Sequence, residues 1–206
     1  MRHVIIGSGI AGLQAARSLR SSQPESQVTM LGREPEPPYS RPMISQLLEG
    51  SVASGHLQLG IPQGVELISG DEAIEIDPRR KMVSTKQGRS LDYDRLLVAT
   101  GADPRGIQAE QADLQNIFFM RSKDQVEGML RELPQCRRAL VLGGGLVGFK
   151  AAYGLLRQGL EVTMLIRSEY PLSQQVDSTA GRLIQHKLQQ NGLAVSGGLG
   201  VIRFRG

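Results

Sequence analysis

A glycine-rich turn occurs twice in this chain, each time in the same setting, and it constrains the fold more than any other feature. Gly7-Ser8-Gly9-Ile10-Ala11-Gly12 follows the apolar run Val4-Ile5-Ile6, and Gly143-Gly144-Gly145-Leu146-Val147-Gly148 follows Ala139-Leu140-Val141-Leu142. Each turn enters a stretch with helical spacing of apolar residues. A second apolar strand then follows, Val28-Thr29-Met30-Leu31 in one case and Val162-Thr163-Met164-Leu165 in the other. Strand–GxGxxG–helix–strand is the layout of a dinucleotide site. Its first glycine allows the tight turn, its second lets the backbone approach a pyrophosphate, and its third lets helix pack on strand. The helix N-terminus adds oriented N–H groups and partial positive charge. The binding residues expected on this basis are Gly7, Gly9, Ala11 and Gly12 at the first turn, and Gly143, Gly145, Leu146, Val147 and Gly148 at the second. One such motif is weak evidence. Two imply two dinucleotides on one protein, and so point to electrons passing between a nicotinamide and a flavin.

The rest of the chain supports parallel sheets with helices packed on them. Apolar Ile10, Leu13, Ala16 and Leu19 mark the first helix, with Pro24 beyond its end; Leu146, Phe149, Ala152, Leu155 and Leu156 mark the second, with Gly159 at the C-cap. Glu34 to Pro42 reads as a proline-rich loop. Shorter strands are expected at Val65-Ile68, Ala73-Ile76, Lys81-Thr85 and Leu96-Ala99, and Asp77 to Lys81 reads as a turn. Gly101 to Gln115 lacks periodicity and is the expected linker. Asp177 reads as the N-cap of a helix carrying Leu183, Ile184 and Leu188, which Asn191-Gly192 ends before a strand at Leu193-Ala194-Val195. Alternating strands and helices make an α/β protein with two Rossmann-like parallel-sheet units. The domains are expected at residues 1–107 and 108–206.

Composition removes several classes. The net charge of +4 comes from scattered Lys and Arg, and with no Trp, 4 Tyr and 4 Phe there is no aromatic interleaving of a basic patch, which argues against nucleic acid. Cys136 is the only cysteine, so no internal disulfide or CxxC pair exists. No apolar run approaches the ~18 residues of a membrane span, and the Gly-rich turn explains the N-terminal residues better than a signal peptide does, so a cytoplasmic location is expected.

Pro38-Tyr39-Ser40-Arg41-Pro42-Met43-Ile44-Ser45 resembles the PYxRPxLS segment of flavoprotein reductases in the pyridine nucleotide-disulfide oxidoreductase superfamily. The likeness is to rubredoxin and ferredoxin reductases and to the flavin-binding part of NADH-dependent nitrite reductase. Tyr93-Asp94-Arg95-Leu96-Leu97-Val98-Ala99-Thr100-Gly101-Ala102 is similar to their YDxLLxATGA segment, which closes over the flavin site. Four motifs in the family's order cover nearly the whole chain. The resemblance implies Arg41 and Pro42 as neighbours of the isoalloxazine ring, Ala73 as a backbone contact near the adenine, and Ala99, Thr100 and Gly101 at the flavin. Glu34 is the acid nearest the end of the second strand. It is a candidate for the ribose hydroxyls and equally readable as a solvated loop carboxylate.

Departures from the family pattern matter as well. Members that relay electrons through a cysteine carry it near positions 42 to 46, where this chain has Pro42-Met43-Ile44-Ser45-Gln46; such a relay is excluded. Related ferredoxin reductases usually have Lys where Gln46 stands, and many members have Glu where Lys150 stands. Lys150 thus either reverses a charge near the nicotinamide–flavin junction or is a plain surface lysine. The family's ribose-binding acid aligns with Ile166, and Arg167 follows. An Arg there can accommodate a 2′-phosphate or simply be a solvated strand-end residue, so the nucleotide is left as NAD(P)H.

The implied activity is hydride transfer from NAD(P)H to FAD, then single electrons to a protein acceptor such as rubredoxin, ferredoxin or an iron–sulfur/sirohaem partner. The cofactors carry the chemistry, so no side-chain acid, base, nucleophile or metal ligand is assigned. A nucleotide-binding module without turnover, or an electron-input subunit completed by another chain, is the alternative. Family members return to the flavin domain through a later strand ending in Gly-Asp. No such strand precedes Gly206, so the sequence is expected to be a fragment with both units incomplete at the C-terminus, prone to aggregate or form a homodimer and to hold FAD below stoichiometry.

Overall fold

The computed structural model describes residues 1–111, 114 and 116–205. Ala112, Asp113 and Gln115 of the expected linker, and Gly206, lie outside the described residues. The chain forms two compact units, one made of Met1–Arg41 and Gly55–Asp103, the other of Pro42–Ser54 and the residues from Pro104 onward. It therefore crosses between units at 41/42, 54/55 and 103/104, where sequence reading places one boundary, between 107 and 108.

The first unit contains β1 (Arg2–Ile6), α1 (Ile10–Ser22), β2 (Gln27–Gly32), β3 (Val65–Ser69), β4 (Ala73–Asp77), β5 (Met82–Thr85), β6 (Ser90–Asp92) and β7 (Arg95–Val98). Four of these strands form a parallel sheet in the order β3-β2-β1-β7. β1 is central and buried on both faces, which is why it reads as an unbroken apolar run. Val4 and Ile6 join Leu31, Ile68, Val83 and Tyr93 in one core. Ile5 points the other way, into a core with Leu13 and Ala16 of α1 and with Val28 and Met30.

The remaining strands add a second sheet to this unit. β4, β5 and β6 form an antiparallel sheet, joined between β4 and β5 by the Asp77–Lys81 turn. The Asp77 carboxylate accepts from the N–H groups of Arg79 and Arg80, at 2.9 and 3.0 Å, and Lys81 takes φ +53°. Asp71 anchors this sheet. It is buried, with only 2 % of its surface exposed, and its carboxylate accepts from the Thr85 hydroxyl (2.7 Å) and the Gln87 N–H (3.1 Å), with Arg89 alongside. Burial pushes its carboxyl up, but these hydrogen bonds outweigh that and hold it below the usual carboxylate range.

The second unit contains α2 (Ile44–Glu49), α3 (Lys123–Glu132), β8 (Arg138–Leu142), α4 (Leu146–Arg157), β9 (Glu161–Leu165), α5 (Ser178–Gln190) and β10 (Leu193–Ser196), with a parallel sheet in the order β10-β9-β8. Helix ends fall where the chemistry requires. The Asp177 carboxylate caps α5 through the Ala180 N–H at 2.9 Å, and Gly159 and Gly192 follow their helices at φ +84° and +86°. Ser122 and Gln125 form a reciprocal capping box that starts α3. Not every apolar position faces a core. Ile10, Leu146 and Leu183 are exposed, the first two as the opening residues of α1 and α4.

Candidate functional site

Both glycine-rich turns are built alike. Gly7 and Gly143 take φ +115° and +110°, a left-handed backbone that only glycine adopts without strain. A Cβ placed on Gly12 would lie 2.0 Å from the Gly7 carbonyl oxygen, and one on Gly148 would lie 2.0 Å from that of Gly143. The third glycine therefore lets each helix settle onto its own turn. The middle glycines are the opposite case: a Cβ on Gly9 or Gly145 would meet nothing within 4 Å. These two are the N-caps of α1 and α4, extended in conformation, with no side chain capping the helix and no acidic residue in either first turn. Each helix thus presents bare N–H groups and positive dipole to open space, which suits a phosphate. These features fit dinucleotides at both turns.

At the first turn Ala99 of the YDxLLxATGA segment lies against Gly7. The Ala99 N–H donates to the Ile6 carbonyl at 2.7 Å, and a Cβ on Gly7 would lie 2.1 Å from the Ala99 carbonyl oxygen, with the Thr100 nitrogen next. Gly101 turns the chain at φ +74°. Ser8, Gly9, Glu34, Glu36, Tyr39 and Arg41 line one cleft, so the structure brings Glu34 and Arg41 to the first turn. Glu34 is tied on both oxygens. The Tyr39 hydroxyl donates to one at 2.6 Å, and Arg41 pairs with the other while its guanidinium lies 5.1 Å from the Tyr39 ring centre. Burial raises the Glu34 carboxyl, and the bonds from Arg41 and Tyr39 more than offset this, leaving it below its ordinary value. Sequence reading had no means to find Tyr39 as the partner of Glu34. Pro42 is exposed in a short 3-10 turn, and Ala73 opens β4 against the core.

The second turn borders a larger cleft of about 480 Å³, within the size range of ligand pockets. Gly143, Gly144, Gly145, Arg167, Ser168 and Ser173 are among its lining residues. Ala11, Leu146 and Val147 are exposed in the opening turns of their helices, and Lys150 is exposed on α4. Among the described residues, no counterpart of Ala99 stands against Gly143.

Two hydrogen bonds set the units in register. The Gly7 N–H donates to the Leu31 carbonyl at 2.7 Å, and the Gly143 N–H to that of Leu165 at 2.9 Å. Counting on from there, Gly32 corresponds to Ile166, Arg33 to Arg167 and Glu34 to Ser168. The gap between turn and strand is filled from opposite sides. A Cβ on Gly32 would lie 2.3 Å from the Ser8 Oγ, whereas a Cβ on Gly144 would lie 2.6 Å from the Ile166 Cγ2.

Comparison with known proteins agrees with this geometry. The chain is 33% identical over 196 residues to the nitrite reductase [NAD(P)H] of Bacillus subtilis, covering 92% of this chain and 24% of that protein. It is 28% identical over 200 residues to the rubredoxin-NAD(+) reductase of Ectopseudomonas oleovorans, covering 94% of this chain and 52% of that protein. The structure of a covalent putidaredoxin reductase–putidaredoxin complex matches 99% of this chain and 51% of the other at 28% identity, with a TM-score of 0.92. The chain thus spans from a quarter to about half the length of these relatives. Both glycine-rich turns and their helices fall within one family match over residues 1–206, and the chain belongs to the pyridine nucleotide-disulphide oxidoreductases, which use FAD together with NAD(P)H.

Proposed function

We propose that this chain is the nucleotide-binding portion of an FAD-dependent NAD(P)H oxidoreductase that hands electrons to a protein acceptor. The acceptor class is rubredoxin, ferredoxin or an iron–sulfur/sirohaem partner, and the location is cytoplasmic. Among the described residues no helix is long and apolar enough to cross a membrane. The carrying observation is the duplicated turn, in both units of which a Cβ on the third glycine would lie 2.0 Å from the first glycine's carbonyl oxygen.

A bound FAD would supply the chemistry: acceptance of hydride from the nicotinamide and release of electrons one at a time. The chain's own residues bind and orient. The N-terminus of α1 would hold the FAD pyrophosphate, with Gly7, Gly9, Ala11 and Gly12 shaping the turn and Ala99, Thr100 and Gly101 closing on it. Glu34 would serve the ribose, Ala73 the adenine, and Arg41 and Pro42 the ring. The N-terminus of α4 would hold NAD(P)H, with Gly143, Gly145, Leu146, Val147, Gly148 and Arg167 as its binding residues. Residues 1–107 form the FAD part and 108–206 the NAD(P) part. Within residues 1–206 no pair of cysteines can relay electrons, since Cys136 is the sole cysteine.

The experiment is absorbance spectroscopy of the purified protein under anaerobic conditions. A flavin spectrum that bleaches with NADH or NADPH and recovers when an oxidised rubredoxin or ferredoxin is added is the expected result. A colourless protein that binds nucleotides without turnover would instead identify a binding module completed by another chain.

A further inference from the structure

We propose that Arg33 and Asp103 are positioning residues of the flavin site, their ion pair forming a strap across the first crevice that slows the exchange of bound flavin. The strap ties the segment carrying Glu34 to the segment that lies against Gly7. This rests on the reading of the first turn as the FAD site.

The strap follows from strand order. In β3-β2-β1-β7 every pairing is parallel, so the carboxyl ends of all four strands lie along one edge of the sheet, with β1 between β2 and β7. The chain builds outward from β1 to β2 and β3, then returns on the other side with β7. At such a reversal a parallel sheet opens a crevice outside the carboxyl ends of its strands, and ligands bind there. Arg33 follows Gly32, the last residue of β2, and Asp103 lies a short way past Val98, the last of β7. Both belong to the first unit. Their side chains meet across the end of β1: the Arg33 Nη1 donates to the Asp103 Oδ2 at 3.0 Å, and Nη2 donates to the other oxygen. Below them Gly32 stands against Ser8 on one side, and Ala99 stands against Gly7 on the other. The pair thus closes a ring of protein around the point where the glycine-rich turn leaves β1.

Three carboxylates lie close enough for their charge to act on Arg33: Asp103, Glu72 and Glu34. Among the described residues only Asp103 bonds to it, while Glu34 is held by Tyr39 and Arg41. Paired N–H groups on one carboxylate fix the guanidinium plane, which sets this contact above an ordinary surface ion pair. About half of each side chain remains exposed, 51% for Arg33 and 58% for Asp103, so water and salt reach the strap and it can open. The second unit has no such device. Arg167 holds the corresponding place, but it forms no ion pair among the described residues, and none of them stands against Gly143 as Ala99 does against Gly7.

The test is the rate at which FAD leaves the full, flavin-loaded protein, read by the fluorescence of released flavin with an excess of a flavin-binding apoprotein as trap. Arg33→Ala and Asp103→Ala are each expected to speed release roughly three- to tenfold, the range for a bidentate but exposed pair. The double variant should release no faster than either single one, because both remove the same contact. The charge exchange, Arg33→Asp with Asp103→Arg, should recover part of the wild-type rate. Raising salt should bring the wild type towards the variants. Urea midpoints of the flavin-free proteins should stay together, which separates a strap from a bridge that merely holds the fold. Wild-type release rates in both single variants, additive effects in the double variant, or midpoints that fall in step with faster release would each overturn the strap. Acceleration by Arg33→Ala without Asp103→Ala would make Arg33 a direct flavin contact and end the proposal. A wild-type protein that takes up no FAD would remove the site reading itself, and the strap with it.

Discussion

Gly9 and Gly12 stand three residues apart in the first turn and answer to different demands. Gly12 is fixed by the fold: its Cβ would strike the Gly7 carbonyl at 2.0 Å and the Ile5 side chain at 3.2 Å. A backbone oxygen cannot rotate aside, so Gly12→Ala lifts α1 from β1, and overpacking of this kind costs about 1–3 kcal/mol. Gly9 faces open space at φ −74°, where any residue fits. Compared with the flavin-free wild type, Gly9→Val should therefore shift the urea midpoint less than Gly12→Ala does, while no longer taking up flavin. Flavin content and denaturation measured on both variants check this, and a Gly9→Val protein with full flavin would sink the FAD assignment. The packing demand on Gly12 was legible from the motif alone. The Glu34–Tyr39–Arg41 cluster was not, because no spacing rule says that a loop will fold its tyrosine and arginine back onto the same carboxylate.

The element that sequence reading missed most plainly is α2. It has six residues, too few for a helix to stand on intrinsic propensity. It persists because Leu48 is fully buried against Gly154 of α4, where a Cβ would come within 3.0 Å of the leucine side chain, and because the Gln158 amide donates to the Leu48 carbonyl at 2.8 Å. Leu48→Ala is expected to destabilise the second unit by about 2–5 kcal/mol, seen as a lower urea midpoint; a loss under 1 kcal/mol would show that α2 is only loosely docked. Helices α1, α4 and α5 were readable because their apolar spacing and glycine or Asp caps are local signals. The direction of β4, β5 and β6 was not. Alternation along a strand shows which side chains are buried and says nothing of whether its neighbour runs with or against it.

Across the whole molecule, each unit has its own sheet and its own bare helix N-terminus, so each ligand should protect the unit that holds it. Local stability measured by amide exchange reports this directly. Added to the flavin-loaded protein, NADPH should slow exchange at Gly143–Phe149 and at Arg167–Ser168 and leave Gly7–Leu13 as it was. Protection at Gly7–Leu13 instead would count against separate sites. The two units are nonetheless not interchangeable copies, and the reason lies in the gap that Ser8 fills beside Gly32 and that Ile166 fills beside Gly144. Only one of the two facing positions can carry a side chain. Grafting a serine onto residue 144 clashes unless residue 166 shrinks, and shrinking residue 166 alone opens a cavity. Each half of the exchange is harmful without the other, so the pair is epistatic, and neither turn can be turned into the other by single substitutions without passing through a destabilised protein.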